Sequence, residues 1–190
     1  MKQIDLTGVE AQQDGEYRNL LPGGYVCRIT KAEDVPLDPA TGKGSYLRLE
    51  LDIAEGDFAG YFGAQFQRFG KWHGVLIRSY KEQALGLFKG FVKAVEESNP
   101  GYRWQWNEAT LTGKLIGIVF GEEEYVNRQY LLAVSVKPRL VRSVQAIRAG
   151  DFTIPAIKKL KTEQAAQVQQ VAQDTANGYT ASYEQVPPPF

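Results

Sequence analysis

One stretch of the sequence combines the residue types that hold single-stranded nucleic acid. Between Tyr61 and Lys81 the chain carries six aromatic side chains, four Lys or Arg residues and no acid. Proteins bind single strands through cations that meet the phosphates and flat rings on which the bases stack. Every base has a π-face, so such a site tolerates any sequence. This stretch predicts a sequence-tolerant single-stranded DNA-binding protein that needs no catalytic residue, metal or cofactor.

The candidate binding residues divide into rings and cations. Alternation along a strand places Phe62 and Phe66 on one face, which we assign to the core, and leaves Tyr61 on the other. The candidate stacking rings are Tyr61, Trp72, Tyr46 and Tyr80. The candidate phosphate contacts are Arg28, Arg48, Arg68, Arg78, Lys81 and Arg142. Each ring could instead pack in the core. RNA is not separated from DNA by these residues, because stacking and charge serve both.

The distribution of charge agrees with a polyanion-binding body and a separate tail. The chain of 190 residues has 22 basic and 22 acidic side chains, yet every Lys and Arg lies in residues 1–161. The last 29 residues hold only Glu163, Asp174 and Glu184 as charged groups. Residues 137–161 are the most basic part of the body, with seven cations against Asp151. An imbalance this small also arises by chance.

The remaining composition indicates an ordinary soluble protein. Hydrophobic residues make up 43% and charged residues 23%, and no apolar run approaches the length of a membrane helix. The segment Met1 to Gly8 has no apolar stretch of signal-peptide length. Cys27 is the only cysteine, so no internal disulfide forms. These features predict a bacterial cytoplasmic protein without membrane contact, and leave homo-oligomers open.

The hydrophobic pattern predicts the elements that would position the site. Three strand candidates come first: Tyr25 to Lys31, Tyr46 to Ile53 and Ala59 to Arg68. A helix follows, with Ser79 and Glu82 at capping-box spacing, and it ends at Ser98-Asn99-Pro100-Gly101. Its apolar stripe recurs at intervals of three and four residues: Leu85, Phe88, Val92 and Val95. Two further strands are predicted at Leu111 to Phe120 and Arg128 to Val144, with a turn at residues 121–124 and Asn127 between them. Pro138 interrupts the last strand and indicates an edge strand or a bulge.

This element order is that of the OB-fold, a five-stranded Greek-key barrel that binds oligonucleotides. We therefore predict a mainly β fold, an OB-fold-like five-stranded barrel with one helix between strands 3 and 4. Residues 1–22 form an N-terminal arm, 23–161 the binding domain and 162–190 a flexible, disordered Gln-rich tail. An unrelated α+β sheet is the structural alternative. On the predicted barrel, Arg28 and Arg48 point to the outer face.

Two other functions remain open. The chain could be a non-catalytic interaction or scaffold module of a phage, with all the aromatics in its core. It could also be a metal-dependent nuclease that uses the carboxylates at Glu96-Glu97 or residues 122–124. A Cys/His zinc site is excluded, because His73 and Cys27 are single residues of their type.

Several segments resemble a phage and prophage family of long-unknown function, in variants found in Gram-positive mobile elements. These segments are residues 21–33, 49–56, 60–61, 78–81, 88–91, 96–102 and 142–148. The resemblance covers roughly residues 20–160. It implies an OB-like domain that acts in DNA replication or recombination as a single-stranded DNA-binding protein.

The C-terminus carries a second resemblance. Bacterial single-stranded DNA-binding proteins end in a disordered linker and an acidic tip that closes in Ile-Pro-Phe. Here a Gln-rich stretch ends in Pro189-Phe190. The resemblance implies that Phe190 docks on replication or recombination proteins. Only Glu184 is acidic near the end, which departs from that pattern, and a frayed terminus is the alternative.

Overall fold

The computed structural model describes residues 18–40, 44–127 and 131–160. Within these ranges the strands are β1 (Gly23–Val35), β2 (Tyr46–Ile53), β3 (Val75–Ser79), β4 (Leu115–Val126) and β5 (Leu132–Arg142). The helices are α1 (Tyr61–Phe69), α2 (Leu85–Ser98) and α3 (Val144–Arg148). The predicted tail with Pro189 and Phe190, and most of the predicted arm, lie outside the described residues.

The five strands form one antiparallel sheet in the order β3-β2-β1-β4-β5. Helix α2 lies between the third and fourth strands, so the predicted mainly β fold is confirmed. The barrel is only loosely formed. In the described part of the chain β3 and β5 are the two edges of the sheet, and no hydrogen bonds join them.

The core lies on the inner face of this sheet, as the alternation in β2 predicts. Leu47, Leu49, Leu51 and Ile53 are all buried, while the residues between them are half-buried on the other face. From β1, Cys27 and Ile29 are also fully buried. Burial raises the pKa of the Cys27 thiol.

The predicted third strand, Ala59 to Arg68, is wrong: this segment forms helix α1. The Asp52 carboxylate at the end of β2 accepts hydrogen bonds from the N–H groups of Phe62 and Gly63, at 2.9 and 3.2 Å. A carboxylate there satisfies N–H groups that no residue within the helix can bind. Gly60 and Gly70 flank the helix at φ 75° and 66°, which lets the chain turn at both ends. The third strand is β3, further along the chain.

The predicted capping box is also absent. The N–H of Lys81 donates to Ser79 Oγ at 3.2 Å, and Glu82 opens a single 3₁₀ turn. Helix α2 begins only at Leu85, without a side-chain cap. The predicted end is correct, because α2 stops at Ser98 and Gly101 then takes φ 80°.

The bounds of the last two strands differ from the prediction. Strand β4 begins at Leu115, after the 3₁₀ turn at Glu108–Leu111, and β5 spans Leu132–Arg142. The predicted turn at residues 121–124 is part of β4, which continues to Val126. Pairing between β1 and β4 ends at Gly23 and Phe120. Further along, the β4 backbone forms hydrogen bonds with Lys158 instead, and this pairing keeps β4 extended. Pro138 lies on an edge strand beside a bulge, where the pairing passes from Leu140 to Pro138, as predicted.

A second, smaller cluster lies on the outer face of the sheet. Helix α3 packs Val144 and Ile147 against Val26 and Val119, and Phe152 lies over β1. Gly117 makes this approach possible. A Cβ there would lie 2.5 Å from Ile147 Cγ1 and 2.6 Å from the Ser143 carbonyl oxygen. The outer face of β1 and β4 is therefore covered at this point.

Because one of those clashes is with backbone, we expect Gly117→Ala to destabilise the fold by about 1–3 kcal/mol. Urea unfolding followed by circular dichroism measures the loss. Gly90→Ala is the matched control, since a Cβ on this exposed α2 residue would meet nothing within 4 Å. The control should gain about 0.5–1 kcal/mol from higher helix propensity. Equal midpoints for Gly117→Ala and the wild type would contradict the packing of α3 on β4.

Candidate nucleic-acid interface

The outer face of β1 and β2 carries the first group of predicted binding residues. Arg28 is exposed, and its guanidinium donates to the Gly113 carbonyl at 3.2 Å. Arg48 is already paired, with Glu50 at 2.6 Å and Glu33 at 3.9 Å. Tyr46 is half-buried beside them. A phosphate approaching Arg48 would meet two carboxylates, so this part of the face is close to neutral.

Two predicted stacking rings have structural roles. The Tyr61 hydroxyl accepts hydrogen bonds from the Leu20 N–H and the Gln65 amide, both at 3.1 Å. The Trp72 indole donates to the Leu51 carbonyl at 3.1 Å. Both residues are half-buried and pack against the core. Phe62 is buried as predicted, but Phe66, which we assigned to the core, is 47% exposed.

Arg78 points into the fold. It lies opposite Leu47, on the inner side of β3, and burial lowers the pKa of its guanidinium. One terminal nitrogen donates to the Ile77 carbonyl at 3.1 Å. Its Nε is buried and has no hydrogen-bond partner within the described ranges. Arg78 is therefore a half-buried cation whose Nε is enclosed by the fold.

The other predicted residues are spread over separate parts of the surface. The Tyr80 hydroxyl donates to Asp34 at 2.9 Å. Lys81 is exposed, and its Cε lies near Gly44 in the β1–β2 connection. Arg142 is exposed at the end of β5, and Arg68 is exposed at the end of α1. The predicted set therefore does not form one continuous track.

A compact group of rings and cations does form where α1 ends. Phe66 and Phe69 are 47% and 55% exposed, and the Arg68 guanidinium lies 5.5 Å from the Phe69 ring centroid. The Phe66 ring rests on Trp72 with 5.8 Å between centroids. Large rings this exposed add little to the core, and they offer faces to a ligand.

Further cations reach the same region from the next segment and from β5. The pKa of the His73 imidazole is lowered by burial and by the positive charges of Lys137 and Lys71. Its Nδ1 is buried without a hydrogen-bond partner in the described chain. Neither Lys71 nor Lys137 forms an ion pair with a described carboxylate. We define the edge patch by its members: Phe66, Arg68, Phe69, Lys71, His73 and Lys137.

The sequence analysis did not identify one aromatic pair, Trp104 and Trp106. Trp106 is 76% exposed and stacks on Phe88, with 6.0 Å between centroids and 6° between planes. Trp104 lies 5.0 Å from Trp106. Together they border a pocket of about 380 Å³ that also includes Asp34 and Glu108. The only sequence signal is the Trp-x-Trp spacing, which does not distinguish a surface cluster from core.

The carboxylates considered for metal chemistry have other partners. Glu96 accepts from the Trp104 N–H, and Glu123 pairs with Lys158 at 2.6 Å. Glu124 accepts from the Leu160 N–H at 3.0 Å. Across residues 18–40, 44–127 and 131–160, no three His, Cys, Asp or Glu side chains are grouped so that they could hold a metal ion.

No family model matches the chain, and no curated protein matches it. The resemblance to phage single-stranded DNA-binding proteins therefore stays a prediction. Among the described helices, none is long and apolar enough to cross a membrane.

Proposed function

We propose that this chain binds single-stranded DNA without sequence preference, and that the edge patch makes the central contact. The observation that carries the proposal is a pair of exposed phenylalanine rings at the end of α1, with Arg68 against Phe69. Just beyond them lies His73, on which the charges of Lys71 and Lys137 both act. Rings and cations on one surface are what a single strand requires. Neither lysine is neutralised by a described carboxylate, unlike Arg48 on the outer face.

The proposed arrangement assigns each residue a task. Phosphates lie along Arg68, Lys71 and Lys137, and bases stack on Phe66 and Phe69. The exposed Arg142 and Lys81 extend the charged surface beyond the patch. A role in replication or recombination of a phage or mobile element is part of the proposal, and it depends on the resemblance of residues 20–160.

The direct test is a fluorescence-anisotropy titration of labelled oligo-dT of about 30 nucleotides, beside a duplex and an oligo-U of equal length. Three phosphate contacts predict a slope of log K against log salt of about −2, or about a twentyfold loss between 50 and 200 mM salt. Lys71→Glu should weaken binding, whereas Lys89→Glu on α2 makes the same charge change away from the patch. No binding at low salt, or equal losses in both variants, would refute the proposal.

His73 should make binding depend on pH. Its pKa is held below the usual 6.5 by burial and by Lys137 and Lys71. The unfolded chain therefore binds more protons below pH 6.5, and the fold loses stability as the pH falls through that range. Bound phosphate offsets the lysine charges and raises the His73 pKa, so binding takes up a proton and strengthens as the pH falls.

We expect the affinity for oligo-dT to rise as the pH falls from 8 to 5, and to approach about tenfold for each pKa unit that binding restores once the pH is below the pKa of the free protein. Anisotropy titrations across this range measure the effect. The variant His73→Gln should bind with an affinity that does not vary with pH. A wild-type affinity that is constant over this range would mean that no phosphate lies near His73.

A further inference from the structure

We propose that the pocket beside Trp104 and Trp106 is a binding site for an organic cation, with an alkylammonium or guanidinium head group. This site is separate from the edge patch and does not depend on the proposed DNA binding. It lies where the end of β3 meets the 3₁₀ turn at Glu108–Leu111, and its volume is about 380 Å³. That volume accommodates a small ligand.

The walls of the pocket are aromatic, with open ring faces. One face of Trp106 stacks on Phe88, and the 76% exposure of this residue leaves the other face to solvent. Trp104 is tilted 37° to Trp106, and Tyr80 lines another side. A cation within about 6 Å of a ring centroid is attracted to the ring face, and tryptophan is the strongest such partner.

The charge of the pocket selects the sign of the ligand. Two carboxylates line it, Asp34 and Glu108, and no lysine, arginine or histidine is among its described lining residues. Burial and the nearby carboxylates raise the pKa of the Tyr80 hydroxyl, so Tyr80 stays neutral. A phosphate would be repelled here, which distinguishes this site from the edge patch.

The backbone of Trp106 adopts an unfavourable, left-handed conformation. Its φ is 60°, and within the described residues it is the one non-glycine residue with positive φ. This region is unfavourable for a residue with a Cβ. Next to it, Asn107 accepts from the Ala109 N–H at 3.1 Å, and the Trp104 indole donates to the Asn107 carbonyl at 2.9 Å. Trp106 packs on Phe88 by one face only, and a tryptophan that stays 76% exposed in a strained backbone conformation agrees with a binding role.

The test compares choline with 3,3-dimethylbutanol, which has the same shape without the charge. Tryptophan fluorescence is measured on the full chain carrying Trp72→Phe, so that the signal comes from Trp104 and Trp106. We expect saturable binding of choline, at least tenfold tighter than the neutral alcohol. N-acetyl-arginine methylamide forms a second arm, because a basic side chain of a peptide would present the same chemistry.

Binding of choline alone assigns the site to small ammonium compounds, and binding of the arginine derivative alone assigns it to a peptide side chain; both support the proposal. Glu108→Gln should weaken the affinity for the cation at least threefold and leave the affinity for oligo-dT unchanged. Trp106→Ala should lower the affinity for the cation at least tenfold. Equal affinity for the neutral alcohol, no saturable response to either cation, or displacement of the cation by oligo-dT would overturn the proposal.

Discussion

Removing both exposed rings of the edge patch, with Phe66→Ala and Phe69→Ala, should weaken oligo-dT binding by roughly 2 kcal/mol or more, about thirtyfold. Each base stacked on an aromatic ring contributes about 1–3 kcal/mol. The two rings are 47% and 55% exposed, so each can take a base without repacking of the core. The effect is measured by fluorescence anisotropy at low salt, because the wild type and the weakened variant both bind tightly enough there for their affinities to be compared.

The control must show that the variant still folds. Phe66 touches Trp72, so some stability is lost with its ring, and thermal unfolding monitors this loss. Leu87→Ala on α2 removes a comparably exposed apolar side chain, 69% exposed, from a different helix. This variant should bind oligo-dT like the wild type. If the folded double variant also binds like the wild type, bases do not stack at the edge patch.

The largest effect on stability is expected from Phe120→Ala, which should destabilise the fold by about 3–5 kcal/mol. Phe120 is fully buried and lies in β4. Its ring stacks on Phe62 of α1 at 5.8 Å and meets the edge of Tyr25 of β1 at 5.6 Å. The cavity left by alanine would therefore loosen α1 and two strands together.

Urea unfolding measures this loss, with Leu37→Ala as the matched control because Leu37 is 59% exposed. The control should change stability by no more than about 0.5 kcal/mol. A typical domain has only about 5–15 kcal/mol of stability, so Phe120→Ala could be partly unfolded at 25 °C. A loss below about 1 kcal/mol would contradict the central position of this ring.

The exposed tryptophan pocket and the edge patch lie on different parts of the molecule and carry opposite charge. The pocket has two carboxylates, and the patch has three lysine or arginine residues. A chain with both could hold a nucleic-acid strand at one site and a cationic ligand at the other. The Lys71→Glu and Glu108→Gln variants separate the two activities, because the first reverses a charge in the edge patch only and the second neutralises a charge in the pocket only.

Local sequence was sufficient for the elements whose pattern is regular. The alternation of Leu47, Leu49 and Leu51 determined the buried face of β2, since side chains of a strand alternate between its two faces. The spacing of Phe88, Val92 and Val95 determined helix α2, with Phe88 and Val95 buried and Val92 packed against the core. Pro138 indicated an edge strand, because proline lacks the N–H that an inner strand needs.

Tertiary structure alone decided α1 and the position of the candidate site. The segment that forms α1 is short and rich in aromatics, and its apolar residues follow neither the two-residue period of a strand nor the 3.6-residue period of a helix clearly. Its helical state depends on the Asp52 carboxylate, which comes from the end of β2. In the same way, Lys71 and Lys137 both lower the pKa of His73 although they are far apart in sequence, which only the folded chain allows. Composition revealed that rings and cations were present, but only long-range packing decided which of them are exposed and which meet.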